Sequence, residues 1–122
     1  MEEKGYHKLL IWKKSVDLVQ LVYKITEKFP SSEKNGLVSQ IRRAAVSIVL
    51  NIVEGHRRRD SNKEFIRFLS IADGSLVEVE ACLELCTELG FIDNAGFQLT
   101  EEKRRELAIV LNAFVKSVKQ RS

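Results

Sequence analysis

Proline and glycine are scarce in this sequence, with one proline and six glycines in 122 residues. That scarcity argues against collagen-like repeats, low-complexity linkers and turn-rich β-sandwiches. No run of about 18 apolar residues occurs, and Met1 to Lys14 lacks the apolar core of a signal peptide, so the expectation is a protein of the cytoplasm that neither crosses a membrane nor is exported by a standard signal. The only two cysteines, Cys82 and Cys86, sit four apart without histidine neighbours. This spacing makes neither a zinc site nor a redox CxxC motif, and both thiols are expected to serve as small buried hydrophobes. What is abundant is apolar and charged sequence, 44% and 30% of the chain. That balance is too apolar for disorder, and the length suits one domain, residues 1–122, with one core.

Charge is unevenly distributed. Residues 1–39 carry +2, residues 40–67 carry +4, residues 68–102 carry −8 with no cation at all, and residues 103–122 carry +5. Such asymmetry points to nucleic acid or to a complementary protein surface, unless neighbouring helices neutralise one another.

Apolar periodicity predicts four helices. The first, from about Leu9 to Phe29, carries Ile11, Leu18, Val22, Ile25 and Phe29 as one stripe and Trp12, Val16, Val19 and Tyr23 as a second. Pro30 ends it, and Ser31 or Ser32 is expected to cap the next, which runs to Arg58. In that second helix Leu37, Ile41, Ala44, Ile48 and Ile52 form a stripe, while Val38, Ala45, Val46, Val49, Leu50 and Val53 fill much of the remaining circumference. A helix apolar nearly all round is buried on more than one side, so a second subunit is expected there. Asp60 or Ser61 starts the third helix, with Glu64 three residues after Ser61 as a capping box, and its stripe Phe65, Leu69, Ala72, Leu76, Val79, Leu83 and Cys86 alternates spacings of four and three. Gly90 offers a left-handed C-cap, Asp93 or Thr100 starts the fourth helix, and Leu107, Leu111, Phe114 and Val118 give its core stripe. Short links at 30–31, 59–61 and 91–93 force neighbouring helices to alternate in direction, so the fold expected is an all-α, antiparallel up-down-up-down four-helix bundle.

Two sets of residues are candidates for function. Gln40, Arg43, Ser47, Asn51 and Glu54 share one face of the second helix, as a hydrogen-bonded seam between helices or subunits, a small pocket, or ordinary solvated positions. Arg42, Arg57, Arg58, Arg59, Lys63 and Arg67 gather around the second and third helices, more cations than helix capping needs. Guanidinium groups bind phosphates bidentately and release counterions, so nucleic-acid binding, subunit salt bridges and solvation all remain open for this cluster. His7 and His56 are isolated and expected to be solvated, and the Glu78, Glu80, Glu84 and Glu88 carboxylates read as surface or interface charge. No Glu-x-x-His pair of a bundle metal site occurs, and no catalytic constellation, metal or cofactor is expected.

The run Leu37-Val38-Ser39-Gln40-Ile41-Arg42-Arg43-Ala44-Ala45-Val46-Ser47-Ile48, followed by Asn51-Ile52-Val53-Glu54-Gly55, resembles the four-helix bundle proteins encoded in intervening sequences of bacterial 23S ribosomal RNA genes, the S23-type proteins. Lys63-Glu64-Phe65-Ile66-Arg67-Phe68-Leu69-Ser70-Ile71-Ala72, the opening Leu10-Ile11-Trp12-Lys13-Lys14-Ser15 and the closing Leu111-Asn112 extend the likeness over nearly the whole chain. The resemblance implies a small cytoplasmic bundle that forms ring-shaped homopentamers, with no catalytic residues and an uncharacterised role suspected to involve RNA. The family pattern has Ile-Pro-Ser-Asn where this chain has Ile48-Val49-Leu50-Asn51, which predicts a straighter second helix and added apolar surface at Leu50.

The expected function is therefore non-catalytic binding by a self-associating bundle, with structured RNA or a ribonucleoprotein as partner. Arg57, Arg58, Arg59, Lys63 and Arg67 would contact phosphates, extended by Arg42 and Arg43, while Gln40, Ser47, Asn51 and Glu54 organise packing. The alternative is a protein-interaction scaffold with no nucleic-acid role.

Overall fold

A computed structural model describes residues 4–121. Four helices, α1 (Leu10–Thr26), α2 (Leu37–Arg57), α3 (Asn62–Glu88) and α4 (Asn94–Gln120), form an antiparallel up-down-up-down bundle. Each helix packs on two neighbours in the order α1–α2–α3–α4–α1, and the most extensive pairing is α2 on α3. The main stripe of each helix faces inward, with Leu18, Ile41, Ile48, Ile52, Leu69, Val79, Leu83, Leu107 and Leu111 all fully buried, while Val16, Val19 and Tyr23 of the second α1 stripe border the surface. Burial of these side chains supplies the main stabilisation, since α2 is rich in β-branched residues of modest helix propensity.

Helix ends follow local chemistry. The Ser61 hydroxyl accepts the Glu64 N–H at 3.2 Å, and Asp93 Oδ1 accepts the Gly96 N–H at 2.7 Å. Thr100, the competing start of α4, instead lies inside the helix and donates to the Gly96 carbonyl at 2.9 Å. Gly90, at φ +79°, closes α3 in a Schellman arrangement, with Phe91 N–H on the Cys86 carbonyl at 2.9 Å and its own N–H on the Thr87 carbonyl at 3.0 Å.

The α1–α2 connection departs from expectation. α1 stops at Thr26 rather than Phe29, because the residue before a proline is pushed out of the α region and the chain turns ahead of it. Phe29 drops into a satellite core with Val38 and Cys86. Ser31 and Ser32 do not cap α2. They form a 3-10 turn, Ser31–Glu33, and Gly36 breaks the backbone, so α2 begins at Leu37. Glu33 Oε1 takes the capping part by accepting the Leu37 N–H at 3.4 Å. α2 is continuous through Ile48–Asn51, and Leu50 is 60% exposed, as the absence of proline there predicts.

Candidate nucleic-acid interface

The alternation of helix direction gathers chain segments that are far apart in sequence. The first 3-10 turn (Gly5–Lys8), the α2–α3 junction and the end of α4 share one end of the bundle. His56 stacks edge-on to Tyr6 at 6.3 Å, Phe65 meets Phe114 at 5.5 Å, and Asn62 Nδ2 donates to the Val118 carbonyl at 3.2 Å. Residues 4–8, 54–67 and 116–121 therefore form one surface carrying ten cations against three carboxylates. At the opposite end, residues 24–43 and 84–102 carry five cations and seven carboxylates. α3 has 27 residues, which places these two poles about 40 Å apart. The charge blocks are thus sorted end to end more than they are neutralised across helices, a juxtaposition that the sequence reading, which kept residues 40–67 and 103–122 apart, missed.

Within the basic pole, Arg57 and Lys63 are exposed, and Arg59 Nη1 donates to the His56 carbonyl at 3.0 Å, a C-terminal cap of α2. Arg58 and Arg67 flank the Phe68 ring, with guanidinium carbons 5.3 and 4.4 Å from its centroid. Glu54 holds Arg58 at 3.2 Å, and Glu64 holds Arg67 at 3.0 Å and Arg58 at 3.8 Å. The hydrogen bond from Arg67, with the nearby charges of Arg67, Arg58 and Lys63, keeps the Glu64 carboxyl below its ordinary range. Two of the five predicted cations are thus steadied by carboxylates on a shared aromatic ring.

Arg42 and Arg43 lie elsewhere. Fifteen residues of α2 separate Arg42 from Arg57, about 22 Å along the helix axis. Arg42 Nε donates to Thr26 Oγ1 at 2.9 Å, Nη2 donates to the Tyr23 carbonyl at 3.3 Å, and the guanidinium stacks 4.3 Å from the Tyr23 ring centroid. It serves as a C-terminal cap for α1. Arg43 is exposed beside it, on a groove shared with Lys34 and Tyr23.

The polar face of α2 divides. Asn51 Nδ2 donates to the Ser47 carbonyl at 2.8 Å and to Ser47 Oγ at 3.1 Å, and Ser75 Oγ of α3 donates to Ser47 Oγ at 2.9 Å. Ser47 therefore bridges α2 to α3 through Ser75, Asn51 braces Ser47 within α2, Glu54 serves Arg58, and Gln40 is exposed. A second polar element, absent from the sequence reading, links α3 and α4. Arg104 meets Glu101 bidentately at 2.8 and 2.6 Å and reaches Glu80 at 3.1 Å, with the Arg104 and Glu101 side chains only 10% and 6% exposed. Glu80, expected on the outer acidic surface, is half-buried in this contact.

His56 is only partly solvated. It sits among Gly5, Tyr6 and Phe65, and desolvation, aided by the Arg59 charge, pulls its imidazole below the ordinary value near 6.5. The His7 side chain lies outside the described residues. Because the folded state prefers neutral His56, its contribution is fully present above the unfolded pKa and is lost as pH falls toward the folded one. The melting temperature should therefore drop between pH 7.5 and 5.5, and His56→Gln should flatten that slope in parallel thermal melts. Cys82 and Cys86 are both buried, and burial pushes the Cys86 thiol up to about 11. Among the described residues no group of three His, Cys, Asp or Glu could hold a metal ion, and no helix is long and apolar enough to cross a membrane.

A family model described as the 23S rRNA-intervening sequence protein matches residues 7–113. The chain belongs to this family. A crystal structure of a protein of unknown function from the S23 ribosomal protein family of Bacteroides thetaiotaomicron superposes with a TM-score of 0.78 at 24% identity, covering 88% of this chain and 99% of that one, which supports the same fold. No match is found among curated proteins. In this 23S rRNA-intervening sequence protein Gly55 has a structural reason. A Cβ on Gly55 would sit 3.1 Å from both Phe65 Cδ1 and Phe68 Cβ, so glycine lets α3 approach α2 where the basic pole is built.

Proposed function

We propose that this 23S rRNA-intervening sequence protein is a non-catalytic, cytoplasmic, homo-oligomeric module, pentameric as its family resemblance implies, that binds structured RNA or a ribonucleoprotein through its basic pole. The convergence of two separate basic blocks at one end of the bundle carries this reading. Arg57, Arg59 and Lys63 present cations outward, while Arg58 and Arg67 are pre-oriented on Phe68. Phosphate contacts of this kind position a polyanion without reading its sequence. A second reading, a protein-interaction scaffold with no nucleic-acid role, draws support from the carboxylates that already satisfy Arg58 and Arg67.

Fluorescence anisotropy with structured ribosomal RNA fragments at several salt concentrations separates the two. Binding should weaken steeply with salt, and Arg57→Ala/Arg59→Ala/Lys63→Ala should reduce the slope of log K against log salt by about two to three. Light scattering would confirm unchanged assembly. Absence of binding by the wild type at low salt would remove RNA and leave the scaffold.

A further inference from the structure

The chain leaves two unlike apolar faces without a partner. One is a groove between α1 and α2, lined by Val16, Val19, Val46, Val49 and Leu50. It continues past Val46 and Leu50 into a depression of about 540 Å³ that holds Tyr23, Lys34, Arg42 and Arg43 and no carboxylate. The other is the outer ridge of α3, where Ile71, Val77, Leu85 and Leu89 are 42%, 55%, 48% and 55% exposed. Gly74 and Ala81 leave the ridge low between them, and a Cβ at Gly74 would meet nothing. Glu78 lies on the ridge itself, seven residues from both Ile71 and Leu85, and Glu84 and Glu88 flank it, with no cation anywhere in residues 68–102.

We propose that copies of the chain assemble side by side, the α1/α2 groove of one copy receiving the α3 ridge of the next. The inference rests on the self-association in the proposed function and assigns the faces that make it. Apolar surface meets apolar surface, and the cations of the groove meet the carboxylates of the ridge. The spacings agree, since Val38 and Leu50 on α2 and Val77 and Leu89 on α3 are each separated by twelve residues, about 18 Å. Lys34, Arg42 and Arg43 lie toward the same end of the bundle as Glu84 and Glu88. The pairing therefore aligns neighbouring copies in parallel. Because the two faces differ, the contact is heterologous, and an open row of copies keeps one unused face of each kind, at its two ends, until the rotation closes a ring. Parallel alignment then turns every basic pole to one side of the ring.

Sedimentation velocity on the full chain at micromolar concentration, without RNA, tests this assignment. The wild type should sediment as one discrete assembly, and Leu50→Glu should give monomers. Lys34→Glu/Arg43→Glu and Glu84→Lys/Glu88→Lys should each raise the dissociation midpoint at least tenfold, with helical circular dichroism unchanged. The four substitutions together should restore assembly. A monomeric wild type would overturn both the self-association and these faces. An assembled wild type that tolerates Leu50→Glu and both charge reversals, or a combined variant that stays dissociated, would overturn the assignment of faces alone.

Discussion

Replacing Arg104 with methionine should destabilise the protein by about 3–5 kcal/mol, the range for breaking a buried ion pair by removing one partner. The cause is the carboxylate left behind. Glu101 is only 6% exposed, and both its oxygens are taken by the Arg104 guanidinium, so truncation leaves a buried carboxylate with only the exposed Arg105 guanidinium, 3.9 Å away, as counter-charge. The Glu101 hydrogen bond raises the Arg104 pKa against the opposing desolvation, with the charges of Glu101, Glu80 and Asp73 adding to the rise, so the Arg104 guanidinium keeps its charge. Glu80, at 39% exposure, can rehydrate and contributes little to the loss. At about 4 °C per kcal/mol for a chain of this size, the melting temperature should fall by about 12–20 °C. Arg104→Met/Glu101→Leu should recover most of it, because apolar groups of similar volume replace a buried pair at little net cost. Urea denaturation of the three proteins measures this directly. Equal loss in the single and double variants would mean that packing, and not the stranded charge, dominates.

Phe65→Ala should cost about 3–5 kcal/mol, as expected for emptying a fully buried aromatic site. Phe65 is 2% exposed and stands at the junction of three elements, edge-on to Phe114 at 5.5 Å and to His56 at 6.3 Å, and against Gly55. The cavity would loosen the contact between the α2–α3 junction and the end of α4, so hydrogen exchange should quicken there before it does in the α3–α4 pairing at the other pole. Restored water around His56 should also weaken the pH dependence described above. Phe65→Leu should lose less than half as much, since it refills part of the volume.

Most of the architecture is legible because it follows apolar periodicity. The α3 stripe from Phe65 to Cys86 needs no tertiary information, and neither does the C-cap at Gly90, whereas the sequence leaves Asp60 beside Ser61 and Thr100 beside Asp93 as competing helix starts. The α1–α2 link was not legible. Ser31 and Ser32 are good capping residues, but Asn35-Gly36 interrupts the helix before their capping could matter, and a glutamate one turn before Leu37 does the work instead. The buried Arg104–Glu101 pair was hidden by residue type. Counting back from Leu107 by three and then four reaches Arg104 and Thr100, both buried, yet an arginine on a core stripe reads as its end. The candidate site was half legible. The Arg57 to Arg67 cluster is plain in the sequence, while its union with Lys116, Lys119 and Arg121 exists only once helix directions alternate. Nothing local distinguishes Arg42 from Arg57. The first caps α1 and the second faces water because α2 runs from one pole to the other.

That pole-to-pole sorting makes the net charge of +3 a poor description of the molecule. The Debye length in physiological salt is about 8 Å, far shorter than the bundle, so an object approaching one end does not sense the other. The protein should behave as two ion exchangers of opposite sign joined by a stretch of mixed charge, retained on anionic and cationic resins alike. In dilute salt the field reaches further, and the same separation becomes a large electric dipole that turns the bundle basic end first toward a polyanion before the two touch.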